Sequence, residues 1–489
     1  MNPPPERKWL RIWIGAIFGV LALLTCDLLL VQARRRIPVG FDTTRITSPT
    51  GADGTIDYVA ALDVESSRGV TADNNAIPLL IEAFGPAILL PKVKDAVAER
   101  LHMPLPPNDG PYLIAFDDFQ NDLPADKERL ELDFLNWPMG NAAEVAKWVK
   151  VNEKPLELIR RAAARPRCFM PMRVGSEERT ILSMLMPHLN ALRSAAMLLG
   201  ADAQLRADAG DFKNARADVR AMHQLARLTS QGPTVIARLV GSGIEALACN
   251  TSRNIAHHAK VDAATADAFL KDVLSEKDLP SLSSAVDVGE RYLVLEFALR
   301  MATRGPAATA RLYGNGPQMS NPLSYWFLPI PHADAMRLEN AAYDAIVAAQ
   351  GKPTYAERKS ALQTVSRVYG STPPGLVSLA SPHILLAMLL PSMVHAEDRM
   401  ESSAVELELT QIVWGLVGYH VKHDKYPETL AELAPQYLPT IPIDPFSMGP
   451  LIYSPAGDGY TLYSVGPNMT DDKGASTQPA DDIDASLHS

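Results

Sequence analysis

The stretch of sequence that decides the fold class is residues 189–229, which read LNALRSAAMLLGADAQLRADAGDFKNARADVRAMHQLARLT. Apolar and small side chains recur at helical spacing from Leu189 to Ala209 and again from Phe212 to Thr229, and this periodicity predicts two helices. Gly210-Asp211 lies between them and predicts a turn. The stretch therefore predicts a helical hairpin and, with it, a mainly α fold.

The turn of this hairpin, from Gly210 to Ala215, resembles the turn between the two helices of a tetratricopeptide repeat. In that repeat a glycine permits the sharp reversal, an aromatic residue packs back, and a small alanine lets the helices approach closely. The first helix here is about one turn longer than in the repeat, and no second copy follows at a period of about 34 residues. The resemblance therefore supports a helix pair more than a peptide-binding solenoid.

Helical periodicity continues on both sides of the hairpin. We expect further helices over the ranges that carry it: Asn141–Ala164, Thr234–His258, Val261–Ser275, Ser284–Arg304, His332–Gln350 and Thr354–Tyr369. Together they predict a helical domain over residues 76–390. Residues 37–75 contain turn formers without a sustained period, and they predict a linker or an irregular cap.

Composition and charge restrict the class of protein. The 489 residues include 46 Lys and Arg against 56 Asp and Glu, a formal net charge of −10. That balance argues against a general nucleic-acid binder, because binding to phosphates requires a dense basic face. The three cysteines, Cys26, Cys168 and Cys249, exclude a disulfide scaffold, a CxxC redox site and a cysteine-rich zinc module. If the chain is exported, Cys168 and Cys249 could form one disulfide.

An apolar segment from Trp9 to Val31 is long enough to cross a membrane, because about 23 residues at roughly 1.5 Å each span a hydrocarbon core of about 30 Å. It is also longer than the apolar region of a secretory signal peptide. We therefore predict an uncleaved, single-pass signal anchor within residues 1–36, in the inner (cytoplasmic) membrane. Cleavage after Ala33 and lipid attachment at Cys26 are the alternatives. Basic residues flank both ends, but a short tail before a long chain favours an extracytoplasmic location for the bulk of the protein.

The carboxyl-terminal part has a characteristic order of segments. They are a long helix over residues 391–424, Tyr426-Pro427, a short leucine-patterned helix, the turn Pro442-Ile443-Asp444-Pro445-Phe446, and a predicted β-hairpin of Leu451–Ser454 and Tyr460–Val465. The strands alternate around a Gly-Asp-Gly turn. This order predicts a small α+β unit at the end of a helical protein.

The same order resembles the globular part of type II secretion major pseudopilins, in which the hairpin closes in a Tyr-Ser-x-Gly-Pro loop like residues 463–467. It also resembles the pseudopilin-like tails of uncharacterised membrane-anchored proteins from bacteria of the planctomycete and verrucomicrobial type. The resemblance covers residues 391–474, and we expect residues 475–489 to be an acidic disordered tail. A true pseudopilin has a prepilin peptidase site, and none precedes Trp9. Incorporation into a filament is therefore not expected.

Major pseudopilins bind calcium in their final loop, and the resemblance implies a calcium site at Asn468, Asp471 and Asp472. Carboxylate and amide oxygens are ligands that calcium prefers. Asp481 and Asp482 could supply the later ligands instead. Asn468 stands where the family usually has Asp, and the alternative is a solvated acidic tail that holds no ion.

Common catalytic motifs are missing from the sequence: the GxSxG nucleophile elbow, the GxxxxGK phosphate loop and the HExxH zinc motif. His420 and His423 with Asp424 could face a metal, but histidines also suit the last turn of a helix. The same explanation applies to His257-His258. These residues alone do not indicate an enzyme.

We therefore expect a membrane-anchored extracytoplasmic interaction or scaffold protein, and the resemblance suggests secretion or envelope assembly as its setting. Its expected partners are the membrane and other envelope proteins, and not nucleic acid. The alternative is an exported, hydrolase-like enzyme with a site assembled from distant residues. A converging cluster of acids and histidines in a deep cleft would favour the enzyme, and a groove without such a cluster would favour the interaction protein.

Overall fold

The computed structural model describes residues 37–121, 142–172, 180–181, 187–305, 332–370, 383–476 and 481–487. Within these ranges the chain forms fourteen α-helices of more than one turn and one three-stranded antiparallel sheet. The mainly α class with a small sheet near the carboxyl end is therefore confirmed. The predicted membrane anchor lies outside the described residues, and none of the described helices is both long and apolar enough to span a membrane.

The helices are α1 (Tyr58–Ser67), α2 (Ile77–Phe84), α3 (Lys94–Arg100), α4 (Phe116–Asn121), α5 (Ala142–Val151), α6 (Glu153–Ala163), α7 (Pro187–Asp208), α8 (Phe212–Thr229), α9 (Val235–His258), α10 (Ala263–Ser275), α11 (Arg291–Arg304), α12 (His332–Gln350), α13 (Tyr355–Tyr369) and α14 (His383–His423). A one-turn helix, Leu282–Ser284, and a π-helical turn, Ala285–Glu290, lead into α11. The strands are β1 (Ile452–Ala456), β2 (Gly459–Ser464) and β3 (Ile483–Asp484).

The hairpin predicted from residues 189–229 is confirmed as α7 and α8. Gly210 has a φ of +76°, a backbone conformation that glycine adopts without steric cost. Asp211 then caps α8, because its carboxylate accepts a hydrogen bond from the backbone N–H of Asn214. Local turn chemistry thus sets the reversal, and the apolar faces of both helices pack into shared cores.

Residues 37–75, predicted to be a linker or an irregular cap, contain the helix α1, and its side chains belong to the core. Tyr58 and Leu62 of α1 are buried in a cluster with side chains of α11 and α12. The hydroxyl of Tyr58 donates to the carbonyl of Thr44 at 2.9 Å, which fixes the preceding irregular segment as well. Burial of a few large side chains was enough to order a segment whose sequence has no long period.

The long helix α14 starts at His383, eight residues before the predicted start at Pro391. Proline is common in a first helical turn, but here the preceding Leu385, Leu386 and Leu390 are buried and extend the helix through it. Further along α14, the Trp414 ring stacks on Phe269 of α10, with ring centroids 4.2 Å apart. The helix therefore joins the helical body to the carboxyl-terminal part.

The sheet has the strand order β1-β2-β3, and all its pairs are antiparallel. β1 and β2 confirm the predicted hairpin. β3 corrects the prediction of a disordered tail over residues 475–489, since Ile483 and Asp484 pair with Ser464 and Tyr463 of β2. Ile483 is buried in one cluster with side chains of α8, α9, α10 and α14. Residues 483–485 are thus part of the core that the sheet shares with the helices.

Candidate functional site

The final loop contains the residues predicted to bind calcium, Asn468, Asp471 and Asp472. The side-chain amide nitrogen of Asn468 donates to Asp472 Oδ2 at 2.7 Å. Asp471 has other partners: its Oδ1 accepts from the hydroxyl of Tyr463 at 2.9 Å and from the backbone N–H of Lys473 at 2.8 Å. The structure therefore brings Asn468 and Asp472 into contact and joins Asp471 to β2.

The alternative ligands, Asp481 and Asp482, also bond to the backbone of this loop. Asp482 is buried and accepts from the N–H groups of Asp472 at 3.1 Å and Gly474 at 2.8 Å. Asp481 accepts from the N–H of Asn468 at 3.2 Å. These carboxylates shape the loop by accepting hydrogen bonds from it.

The calcium prediction gains no support from this geometry. Among the described residues, the group of three metal-ligating side chains that the fold brings together is His223, Glu245 and Cys249. None of these three lies in the final loop. Calcium in the loop stays a prediction from the resemblance.

Asp444 is fully buried next to the end of β2, where the final loop begins. Its Oδ1 accepts from the N–H of Phe446 at 3.0 Å and the hydroxyl of Ser464 at 2.9 Å. Its Oδ2 accepts from the N–H of Val465 and the hydroxyl of Ser447, both at 3.1 Å. The sequence signal for this residue was the Pro-x-Asp-Pro-Phe turn, and its structural role is to hold that turn against the end of β2.

A polar cleft opens between α9, α14 and the carboxyl-terminal segment and encloses about 850 Å³. Arg253 and His257 line it from α9, and Asp398 and Glu406 line it from α14. Residues 481–487 form part of the opposite side. We call this cavity the polar cleft. No motif predicted it, because its α9 wall meets residues far along the chain: Arg253 contacts Glu406, 153 positions later, and His257 contacts Tyr460, 203 positions later.

Arg253 and Asp398 of the polar cleft have charged or hydrogen-bonding partners within its wall. Arg253 is buried, and its Nη1 lies 2.5 Å from Glu406 Oε2 and 3.1 Å from Thr410 Oγ1. Asp398 accepts from the hydroxyl of Tyr355 at 2.6 Å, and Lys359 Nζ lies 3.2 Å away. These contacts hold both carboxylates in the wall of the cleft.

The histidines of the polar cleft do not converge on one point. His257 Nε2 lies 2.9 Å from the hydroxyl of Tyr460, so this side chain joins α9 to β2 and is more than a solvated helix end. His258 and His395 are exposed. Among the described residues that line the cleft, no three His, Cys, Asp or Glu side chains approach closely enough to share a metal ion. The cleft offers charged and hydrogen-bonding groups for binding.

A separate polar group is buried between α8 and α9. His223 Nδ1 lies 2.8 Å from Glu245 Oε1, and Cys249 follows Glu245 by about one helical turn. Burial opposes a charge on His223, but the adjacent Glu245 carboxylate outweighs it and raises the pKa of His223 above its ordinary value. Burial also raises the pKa of the Cys249 thiol well above its usual range. No sequence pattern indicates this group, because 22 positions separate His223 from Glu245.

The remaining sequence candidates are explained by packing. His420 stacks on Tyr426 with ring centroids 4.5 Å apart, and His423 packs against Tyr419 at 4.3 Å. Both lie in the last turns of α14, as the helix-end interpretation predicted. Cys168 and Cys249 are both free thiols, so the structure does not contain the disulfide that export would allow.

Comparisons of the chain with protein-family models, with curated proteins and with solved structures found no match. The pseudopilin and tetratricopeptide resemblances therefore stay predictions from the sequence.

Proposed function

We propose that this protein is a single-pass, membrane-anchored extracytoplasmic interaction protein that holds a charged segment of an envelope partner in the polar cleft. The observation that carries the proposal is the cleft itself, a cavity of about 850 Å³ between the helical body and the carboxyl-terminal segment. Its size and its mixture of charges suit an extended polar segment better than a small apolar ligand.

The distribution of groups in the cleft favours binding over hydrolysis. Arg399 and His395 are exposed on α14, where they are accessible to a partner, while Arg253 and Glu406 are paired deeper in the wall. Exposed charges set the attraction and orientation of a partner, and buried pairs keep the wall rigid. A hydrolase would instead need a base, a nucleophile and an orienting group within hydrogen-bond reach of one another.

The amino-terminal sequence supports the membrane location. The apolar segment Trp9–Val31 has the length of a membrane-spanning helix. The pseudopilin resemblance of residues 391–474 supports a setting in secretion or envelope assembly. The fold joins these residues to the helical body through α14, so a partner bound in the cleft would contact both parts.

Site-specific photo-crosslinking in intact cells tests the proposal. A photoreactive amino acid replaces His258, His395 or Arg399 of the full chain, and the matched controls replace the exposed Lys154 and Glu157 of α6. We expect a discrete adduct from the cleft positions and none from the controls. Protease added to spheroplasts should digest that adduct, because the cleft then lies outside the cytoplasm.

Two results would contradict the proposal. Equal crosslinking from α6 and from the cleft would show that the contact is nonspecific, and the absence of any adduct from all three cleft positions would remove the cleft as a docking site. An adduct that resists external protease would place the body in the cytoplasm.

A further inference from the structure

The buried group between α8 and α9 contains three different metal-ligand types. His223 comes from α8, and Glu245 and Cys249 come from one face of α9, since residues four apart on a helix are neighbours. Their ligand atoms all lie within 4.8 Å of one another. The three side chains are 1%, 2% and 0% exposed, respectively. A nitrogen, an oxygen and a sulfur donor thus meet in a site shielded from water.

The hydrogen bonding of this group is incomplete. His223 and Glu245 satisfy each other through one atom each, but His223 Nε2 and Glu245 Oε2 are buried and have no hydrogen-bond partner. A buried polar atom without a partner costs about 1–3 kcal/mol. Of the two arginines nearby, Arg253 pairs with Glu406 at 2.5 Å and Arg227 Nη2 pairs with Glu276 at 2.5 Å. Arg227 Nη1 is itself buried without a hydrogen-bond partner. The protein alone therefore leaves ligand capacity unused here.

We propose that His223, Glu245 and Cys249 bind a zinc ion. Imidazole nitrogen, carboxylate oxygen and thiolate sulfur are the three donor types of protein zinc sites. A thiolate and a carboxylate together carry two negative charges, so a divalent ion makes the set neutral when His223 binds as a neutral imidazole. The thiol proton, and any second proton that the imidazole carries, leave to bulk water on binding. Calcium does not suit these residues, because it selects oxygen ligands alone.

The zinc ion would connect α8 to α9. Cys249 also lies one turn from Arg253, which reaches α14 through Glu406 and Thr410. The ion would thus brace the helix pair from which one wall of the polar cleft projects. Its binding does not depend on what the cleft holds, so this site and the proposed function can fail separately.

Cobalt substitution tests the site without relying on a variant that fails to fold. The full chain is purified in detergent without a histidine tag, stripped with a chelator and titrated with Co²⁺, whose thiolate complexes absorb by charge transfer. The key variant is the double substitution Cys26→Ser/Cys168→Ser, which leaves Cys249 as the single thiol of the chain. We expect this variant to show a thiolate-to-cobalt band and to be purified with a stoichiometric amount of zinc.

Cys249→Ser is the matched loss-of-site variant. It should lack the charge-transfer band and bind zinc more than about tenfold more weakly, while Cys168→Ser should keep both properties. Circular dichroism establishes that each chain is folded. The proposal is overturned if the folded wild-type chain shows no thiolate-to-cobalt band, or if the band persists in Cys249→Ser.

Discussion

Glu406 and Glu408 lie two positions apart on α14 and have opposite electrostatic surroundings. Glu406 pairs with Arg253 at 2.5 Å. Glu408 is mostly buried, and the charged groups that act on it are carboxylates, namely those of Asp278, Glu401 and Asp444. Burial first, and these negative neighbours second, raise the pKa of Glu408 from 4.5 to about 7.

We expect Glu408→Gln to stabilise the protein at alkaline pH. A carboxyl whose pKa is raised on folding stabilises the native state while it is protonated, so the wild type loses stability as pH rises from about 4.5 through about 7. Glutamine lacks this charge, and the gain at pH 8 should be about 1–2 kcal/mol after allowance for partial exposure. Urea unfolding of the full chain at pH 5 and pH 8 measures it.

Glu406→Gln is the control on the same helix. It removes the partner of the buried Arg253 and should destabilise the protein at both pH values. A gain from Glu408→Gln that is equal at pH 5 and pH 8 would contradict the electrostatic explanation.

At the scale of an element, α9 depends on one glycine and tolerates replacement of another. A Cβ placed on Gly241 would lie 2.0 Å from Ser230 Oγ and 2.8 Å from the carbonyl oxygen of Ala226, so α8 packs directly on this position. A Cβ on Gly243 would meet no atom within 4 Å. Close packing between α8 and α9 therefore requires glycine at position 241 and not at position 243.

Alanine substitutions at Gly241 and Gly243 should change the stability of the protein in opposite directions. Gly241→Ala should destabilise by about 1–3 kcal/mol, because the added methyl group forces α8 and α9 apart. Gly243→Ala should stabilise by about 0.5–1 kcal/mol, because alanine has the higher helix propensity and the space is open. Thermal unfolding of both variants and the wild type measures the two changes in stability. If both variants are stabilised or both are destabilised, the packing explanation is wrong.

At the scale of the whole molecule, the carboxyl-terminal part is not an independent appendage. Trp414 of α14 donates from its indole nitrogen to Ser252 of α9 at 2.9 Å, and it also stacks on α10. Tyr460 of β2 and Ile483 of β3 are buried in the same cluster as these helices. The shared core predicts that the sheet and the helices around it unfold together.

Ile483→Ala tests this coupling. The substitution should cost about 2–4 kcal/mol, because it removes buried methyl groups and leaves a cavity. It should also speed amide hydrogen exchange in α14, which contacts β3. The exposed Ser476→Ala is the matched control and should change neither property. Faster exchange confined to residues 481–487 would show that their packing is not coupled to the stability of α14.

The α7–α8 and β1–β2 hairpins could be predicted from the sequence because the residues that indicate them are close together along the chain. A helical hairpin needs two periodic segments and a turn, and Gly210-Asp211 supplies the turn within a few residues of both. The predicted start of α14 at Pro391 was wrong, because proline is frequent in the first turn of a helix. The burial of Leu385 and Leu386 shows that the helix begins earlier. The ordered tail was missed because a two-residue strand has no periodicity to detect.

The helical class, the hairpins and the length of the apolar segment follow from residues that are neighbours along the chain, so the sequence was enough to predict them. Tertiary packing brings together the side chains that are distant in sequence: His223 with Glu245 and Cys249, Arg253 with Glu406, and residues 483–484 with β2. These contacts join residues between about 20 and more than 150 positions apart. Such partners are brought together by core packing, and residue patterns within a short stretch of sequence do not indicate them.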